Sequence, residues 1–179
     1  MTANAISSIP SDASPDTTPA PTEYVLGFLF SPDLSSVVLI KKNRPSWQAG
    51  KLNGVGGKYE ASDELLSLAM HREFSAETGV MLPRGDWRAF GQLDGRLAAK
   101  PEEEFVVYLY AAQSERINEV ETMTDEQVII LPVPTVTGMT LSVPTFGSTS
   151  ALVLLAREFL QRRSAESCGL DYVKLRYAA

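Results

Sequence analysis

Two glutamates, Glu73 and Glu77, stand four residues apart in a run that begins Gly56-Gly57-Lys58 and ends Thr78-Gly79-Val80. On a helix that spacing puts both carboxylates on one face, one turn apart. Two like charges so placed repel unless they point into water or share a cation. Oxygen donors of this kind suit a hard divalent ion such as Mg2+, with Mn2+ the alternative. Arg72 adds a fixed positive charge beside them, able to hold Glu64 or another loop carboxylate in place. The bland alternative is a solvated acidic helix face. It accounts for the glutamates but not for the adjoining Gly-Gly, Arg-Glu and terminal Gly together.

A helix must position this pair. Ser62 or Asp63 can cap its start, because their side-chain oxygens accept from free backbone N–H groups. Gly79 sits where a helix ends in a left-handed residue. Leu65, Leu68, Ala69 and Phe74 can face a core, with Leu66 at the edge of the stripe.

The stretch resembles the signature box of the Nudix (MutT-like) hydrolases, with Glu64, Arg72, Glu73, Phe74, Glu77, Gly79 and Val80 on its pattern. Two positions depart. Six residues separate Gly57 from Glu64, one more than the pattern, so Asp63 can stand in for Glu64. Ala76 replaces the first acid of the pattern's Glu-Glu pair, a frequent metal ligand in the family. The resemblance spans about Glu23 to Arg163. It implies an α/β/α sandwich, a mixed sheet between helices, with the box as loop-helix-loop on one side.

Composition sets bounds. At 179 residues the chain suits one domain with its own core. A hydrophobic content of 44% and a charged content of 21% are ordinary for a soluble globular protein. The net charge of −6 argues against binding duplex nucleic acid, which normally calls for a basic footprint. It leaves a nucleotide substrate open, since a metal supplies local positive charge. The lone Cys168 excludes an internal disulfide and a cysteine-rich zinc site, and is comfortable in a reduced cytoplasm. His71, the only histidine, reads as a surface residue. No apolar run approaches the roughly 20 residues of a membrane span.

Along the chain, residues 1–22 are rich in Ser, Thr, Pro and Ala and read as a flexible tail, not a secretory signal. Tyr24–Phe30 and Ser36–Lys42 are strand candidates, the second apolar enough for burial on both faces. The run Lys41-Lys42-Asn43-Arg44-Pro45-Ser46-Trp47 is then a basic-aromatic loop in an acidic protein. Arg44 fits phosphate oxygens; Trp47 either offers a stacking surface or packs on the core. Leu52-Asn53-Gly54-Val55-Gly56-Gly57-Lys58 follows, with glycines that let backbone approach a ligand. It looks like the matching segment of Nudix enzymes that sanitise oxidised purine nucleotides, where the Asn contacts the purine. The alternative for Asn53 is a turn residue.

After the helix, Trp87–Leu93 is a strand candidate with an Asp94-Gly95 turn behind it. Glu102-Glu103-Glu104, a solubilising acidic lead-in, precedes the strand candidate Phe105–Ala112. Gln113–Thr124 reads as a loop and Gln127–Pro132 as a short strand. Thr124-Asp125-Glu126 resembles a Ser-Asp-Glu of the oxidised-purine group, which makes Glu126 the candidate additional carboxylate, with Glu121 behind it. A solvated loop acid is the alternative. Pro132–Pro144 is irregular, and Ser148–Arg163 reads as a second helix. Here the oxidised-purine likeness weakens: Val143-Pro144-Thr145-Phe146-Gly147 has no acid to read a base. Ser164–Ala179 is a C-terminal extension with an edge-strand or partner-contact segment near Tyr172–Tyr177.

The resemblance implies attack of water on phosphorus in a nucleoside diphosphate linked to a further group. Glu73 and Glu77 are the expected metal ligands, with Glu73 alternatively the base. Glu64 is expected to orient Arg72 or support the metal shell, the Gly57 carbonyl is a further ligand, and Lys58 lies by the phosphate path. The substrate expectation is a (deoxy)nucleoside triphosphate or oxidised nucleotide. The alternatives are an ADP-ribose or nucleotide-sugar pyrophosphatase, or a regulatory module with little turnover. A monomer or a homodimer both fit.

Overall fold

The structure, a computed structural model, describes residues 20–97, 100–138, 148–164 and 172–176. Most of the expected tail, Cys168 and the Val143–Gly147 run lie outside the described residues.

β-branched and aromatic residues favour most of the strands. They are β1 (Thr22–Phe30), β2 (Ser36–Lys41), β3 (Leu52–Asn53), β4 (Arg88–Leu97), β5 (Lys100–Gln113), β6 (Gln127–Pro132) and β7 (Val173–Arg176). The helices are α1 (Leu66–Thr78), α2 (Val133–Gly138) and α3 (Thr149–Ser164). All strands join one sheet of seven, ordered β3-β2-β1-β5-β4-β7, with β6 on β2. β1 runs parallel to β5 along its length, from Thr22↔Phe105 to Phe30↔Gln113. β2 pairs antiparallel with β6, from Ser36↔Pro132 to Lys41↔Gln127. Val37–Ile40 are all buried, as their unbroken apolar run implies.

The sheet separates two cores. On one face α1 covers Val25, Leu29, Val38, Ile40, Trp87 and Tyr110 with Met70 and Phe74. Phe74 meets Trp87 edge-on, with ring centroids 5.0 Å apart. On the other face α2 and α3 bring Val133, Leu152 and Phe159 onto Phe28, Phe30, Leu52 and Phe90. This is the α/β/α sandwich that the resemblance implies.

Several local expectations give way. Asp94-Gly95 does not turn; both residues continue β4, paired with Val106 and Phe105. The Gln113–Thr124 stretch contains a 3-10 turn at Glu115–Glu119, capped by the Ser114 hydroxyl. The proline-rich run after β6 opens with α2. Neither Ser62 nor Asp63 caps α1: Leu65 precedes it with no side-chain cap, and a 3-10 turn at Ala61–Asp63 comes first. Leu65 is 60% exposed, and Met70 takes the buried place beside Ala69. His71 is half-buried, its Nε2 2.7 Å from the Leu82 carbonyl. Gly79 does end the helix in the left-handed region, at φ 73°, its N–H donating to the Ser75 carbonyl.

Candidate functional site

The glycine loop is an irregular strand laid along β1. Gly27 exchanges hydrogen bonds with Val55, the Val25 N–H donates to the Gly57 carbonyl, and Tyr24 pairs with Lys58. The loop then runs directly beneath α1. A Cβ on Gly57 would stand 2.5 Å from the carboxyl carbon of Glu73, so only glycine leaves that carboxylate its place.

At about 100° per residue, Glu73 and Glu77 fall within about 40° of each other and in line with Leu66 and Met70. The inward stripe of α1 is therefore apolar in its first turns and acidic in its last. Glu77 is only partly exposed, and its Oε2 accepts from the Gly56 N–H at 3.1 Å. Burial pushes its pKa up to about 7, against opposing help from Lys42 and Gly56, with Glu73 and Glu126 raising it further. It also sits in the last helical turn, where the helix dipole disfavours an anion and favours a cation.

Arg72 is clamped. Its Nε and Nη2 form a fork on Asp63 at 2.7 and 2.8 Å, its Nη1 donates to Glu73 at 2.7 Å, and its Nη2 also reaches the Lys58 carbonyl at 3.1 Å. The Arg72 hydrogen bonds outweigh burial and hold the Asp63 carboxyl below its usual range. The Glu60 N–H secures the second oxygen of Asp63. Glu64 does not orient Arg72. Its side chain is exposed, and its φ of 55° turns the chain away. The extra residue in the loop moves the clamp one position back, to Asp63.

Glu126 arrives from the loop before β6. That loop is tied to the end of α1, where the Thr78 and Glu77 carbonyls accept from the Glu121 and Met123 N–H groups. Carbonyls left over at a helix end thus find partners. Glu126 is buried, with Oε1 on the Asn43 N–H at 2.8 Å and Oε2 on the Lys42 ammonium at 2.5 Å. Burial raises its pKa, but Lys42 and the Asn43 N–H prevail and the net shift is downward. Glu126 is thus no solvated loop acid, whereas Glu121 is exposed.

The structure therefore gathers Glu73, Glu77, Gly57, Arg72 and Glu126 around one end of α1. Of the other expected contacts, Arg44 and Lys58 touch this cluster through their backbone. Arg44 is exposed and paired with Asp125 at 3.1 Å. Trp47 is 47% exposed on the same loop, its carbonyl accepting from Lys51. Lys58 is exposed, and only its carbonyl touches the clamp. Asn53 packs inward: its Oδ1 accepts from the Gly54 N–H and lies 3.4 Å from the Thr149 hydroxyl, at the start of α3. Sequence reading missed Lys42 as a partner of the acids. Only the β2–β6 register reveals it, because Lys41↔Gln127 sets Lys42 beside Glu126.

The donor set is all oxygen, which is the chemistry of a hard divalent cation. Among the described residues, however, no three acids converge as a ready-made cage. Arg72 and Lys42 occupy two of the carboxylates instead.

A family model described as NUDIX domain matches residues 20–136. The chain belongs to the NUDIX domain family. Nudix proteins generally use divalent metal ions, and membership of this family supports a pyrophosphohydrolase. The NUDIX domain of Shewanella oneidensis NrtR, solved with ADP ribose, is 20% identical with a TM-score of 0.62, over 83% of this chain and 94% of that one. The MutT protein from Bacillus halodurans is 17% identical with a TM-score of 0.58, over 88% and 90%. NrtR complexed with a 27mer DNA is 20% identical with a TM-score of 0.63; this chain covers 63% of it, and the match takes in 79% of this chain. At these identities the likeness is one of fold. No curated protein matches. No described helix of this Nudix chain is long and apolar enough to cross a membrane.

Proposed function

We propose that this Nudix protein hydrolyses a diphosphate linkage in a nucleoside diphosphate-X substrate, using Mg2+ or Mn2+ held by Glu73, Glu77, the Gly57 carbonyl and Glu126. One observation carries the reading. Glu77 is half-buried at the C-terminal end of a helix beside two further carboxylates, an arrangement costly to a bare protein and repaid by a cation. When bound, the ion supplies charge neutralisation at phosphate oxygens and a more acidic attacking water. The chain's own residues do the rest. Gly57 leaves room for the Glu73 carboxylate, Arg72 fixes it from the side, and Asp63 fixes Arg72. Glu73 is also the candidate to take the proton from water, and the exposed Lys58 is the candidate for a phosphate contact. Arg44 and Trp47, exposed on the same loop, are the proposed contacts for the phosphates and the far group of a nucleotide.

For the substrate, a (deoxy)nucleoside triphosphate is favoured by the likeness of the Asn53 segment to that of enzymes acting on oxidised purine nucleotides. ADP-ribose is the second reading, motivated by the NUDIX domain of NrtR, which was solved with that ligand. Incubation with a nucleotide panel and Mg2+, followed by phosphate and pyrophosphate release, separates them. Turnover of nucleoside triphosphates with loss of activity in EDTA is expected. Binding without release for every compound would leave a regulatory module instead.

A further inference from the structure

Each acid of the site already has a partner within the chain. Glu73 has Arg72, Glu77 has the Gly56 N–H, and Glu126 has Lys42. The two cations differ in how they are held. Arg72 is fixed by the fork on Asp63 and by the Lys58 carbonyl, so it cannot leave Glu73 without breaking three other bonds. Lys42 is a compact charge on a flexible four-carbon stem, resting on one carboxylate oxygen.

Glu126 is built to exchange that partner. Its Oε1 is anchored by the Asn43 N–H at 2.8 Å and reached by the Arg44 N–H at 3.4 Å. Its Oε2 alone faces the ammonium. The carboxylate can therefore pass Oε2 from one cation to another with no movement of backbone. The Lys42 side chain is 17% exposed and that of Glu126 6%, so neither charge can simply retreat into water.

We infer that Lys42 is a built-in placeholder for the site's cation: its ammonium holds Glu126 until a divalent ion takes that oxygen, and then turns to the diphosphate. This rests on the proposed metal site. It makes Lys42 a competitor of the metal and a partner of the substrate. A residue that merely braced the loop would weaken both kinds of binding when removed; a placeholder moves them in opposite directions.

The test is a pair of titrations on the full chain. Mn2+ binding is measured by calorimetry on the metal-free protein, and imidodiphosphate binding is measured with Mn2+ saturating. Lys42→Met should bind Mn2+ about tenfold more tightly and imidodiphosphate about tenfold more weakly than the parent. Lys42→Arg, which keeps the charge, should stay within about threefold for Mn2+. Lys42→Gln gives the same reading if the Met variant does not fold. Equal or weaker Mn2+ binding in the neutral variants, or unchanged imidodiphosphate binding, overturns the inference and leaves the metal site standing. Absence of Mn2+ binding in the parent protein sinks both.

Discussion

Replacing Glu77 by Gln should stabilise the metal-free protein while abolishing its turnover. Gln matches Glu in shape and keeps an oxygen for the Gly56 N–H, but it cannot ionise. In the folded chain burial lifts the Glu77 carboxyl from 4.5 to about 7. A folded-state pKa above the unfolded one means that the folded protein binds this proton more tightly. The parent therefore loses stability as pH rises from about 4.5 through 7, and the loss is complete above that. At about 1.36 kcal/mol per pH unit the full cost is about 3 kcal/mol, and the partial opening of the site to solvent trims it to about 1–3 kcal/mol. For a chain of this size that is roughly 2–10 °C in Tm. Thermal unfolding in EDTA should place E77Q above the parent at pH 8, with the gap closing toward pH 4. Added Mg2+ or Mn2+ should raise the parent and leave E77Q where it was. Hydrolysis of the nucleotide that the parent turns over should fall on the order of 10²-fold or more. An E77Q protein no more stable than the parent at pH 8 in EDTA would refute the claim that this carboxylate is held at an energetic loss. Parent-like turnover would remove it from the reaction.

The clamp is tested by Asp63→Asn, which should lower turnover and cost about 1–3 kcal/mol, whereas Glu64→Ala should leave turnover near the parent's. Because the folded Asp63 pKa is lowered, its contribution is full above the unfolded carboxylate range and fades as pH falls through the folded value. Urea unfolding from pH 7 downward should show the parent and D63N curves converging. Glu64→Gly, which relieves a backbone at φ 55°, should add up to about 1 kcal/mol of stability by the same measurement. Gly57→Ala must displace the Glu73 carboxylate and should weaken Mn2+ binding in a direct titration; unchanged affinity would take Glu73 out of the ligand set. Phe74→Ala empties a fully buried ring site against Trp87 and should cost about 3–5 kcal/mol in chemical denaturation.

Much of this was legible from the chain alone. Periodicity and punctuation are local properties, so the strands around Tyr24–Phe30, Val37–Ile40 and Gln127–Pro132, the late helix and the Gly79 stop follow from neighbouring residues. The Glu73–Glu77 pair is equally local, since helical spacing alone puts it on one face. Which way that face points is not local. The same spacing serves a solvated flank or an inward stripe, and only the packing of Leu66, Met70 and Phe74 on the sheet turns the acids inward. Burial, and the rise in the Glu77 pKa that goes with it, come from that rotation.

The clamp shows the same division. An arginine near loop acids is visible in sequence, but Asp63 and Glu64 are adjacent and chemically alike. The choice falls to Asp63 because the 3-10 turn aims it inward and the backbone at Glu64 swings outward. Lys42 and Glu126 are separated by 84 positions and meet only through the β2–β6 register. Sequence thus determined which elements form and which residue types could hold a cation. Tertiary structure decided which acids face one another and what neutralises each, because burial and pairing depend on distances that only the assembled sheet sets.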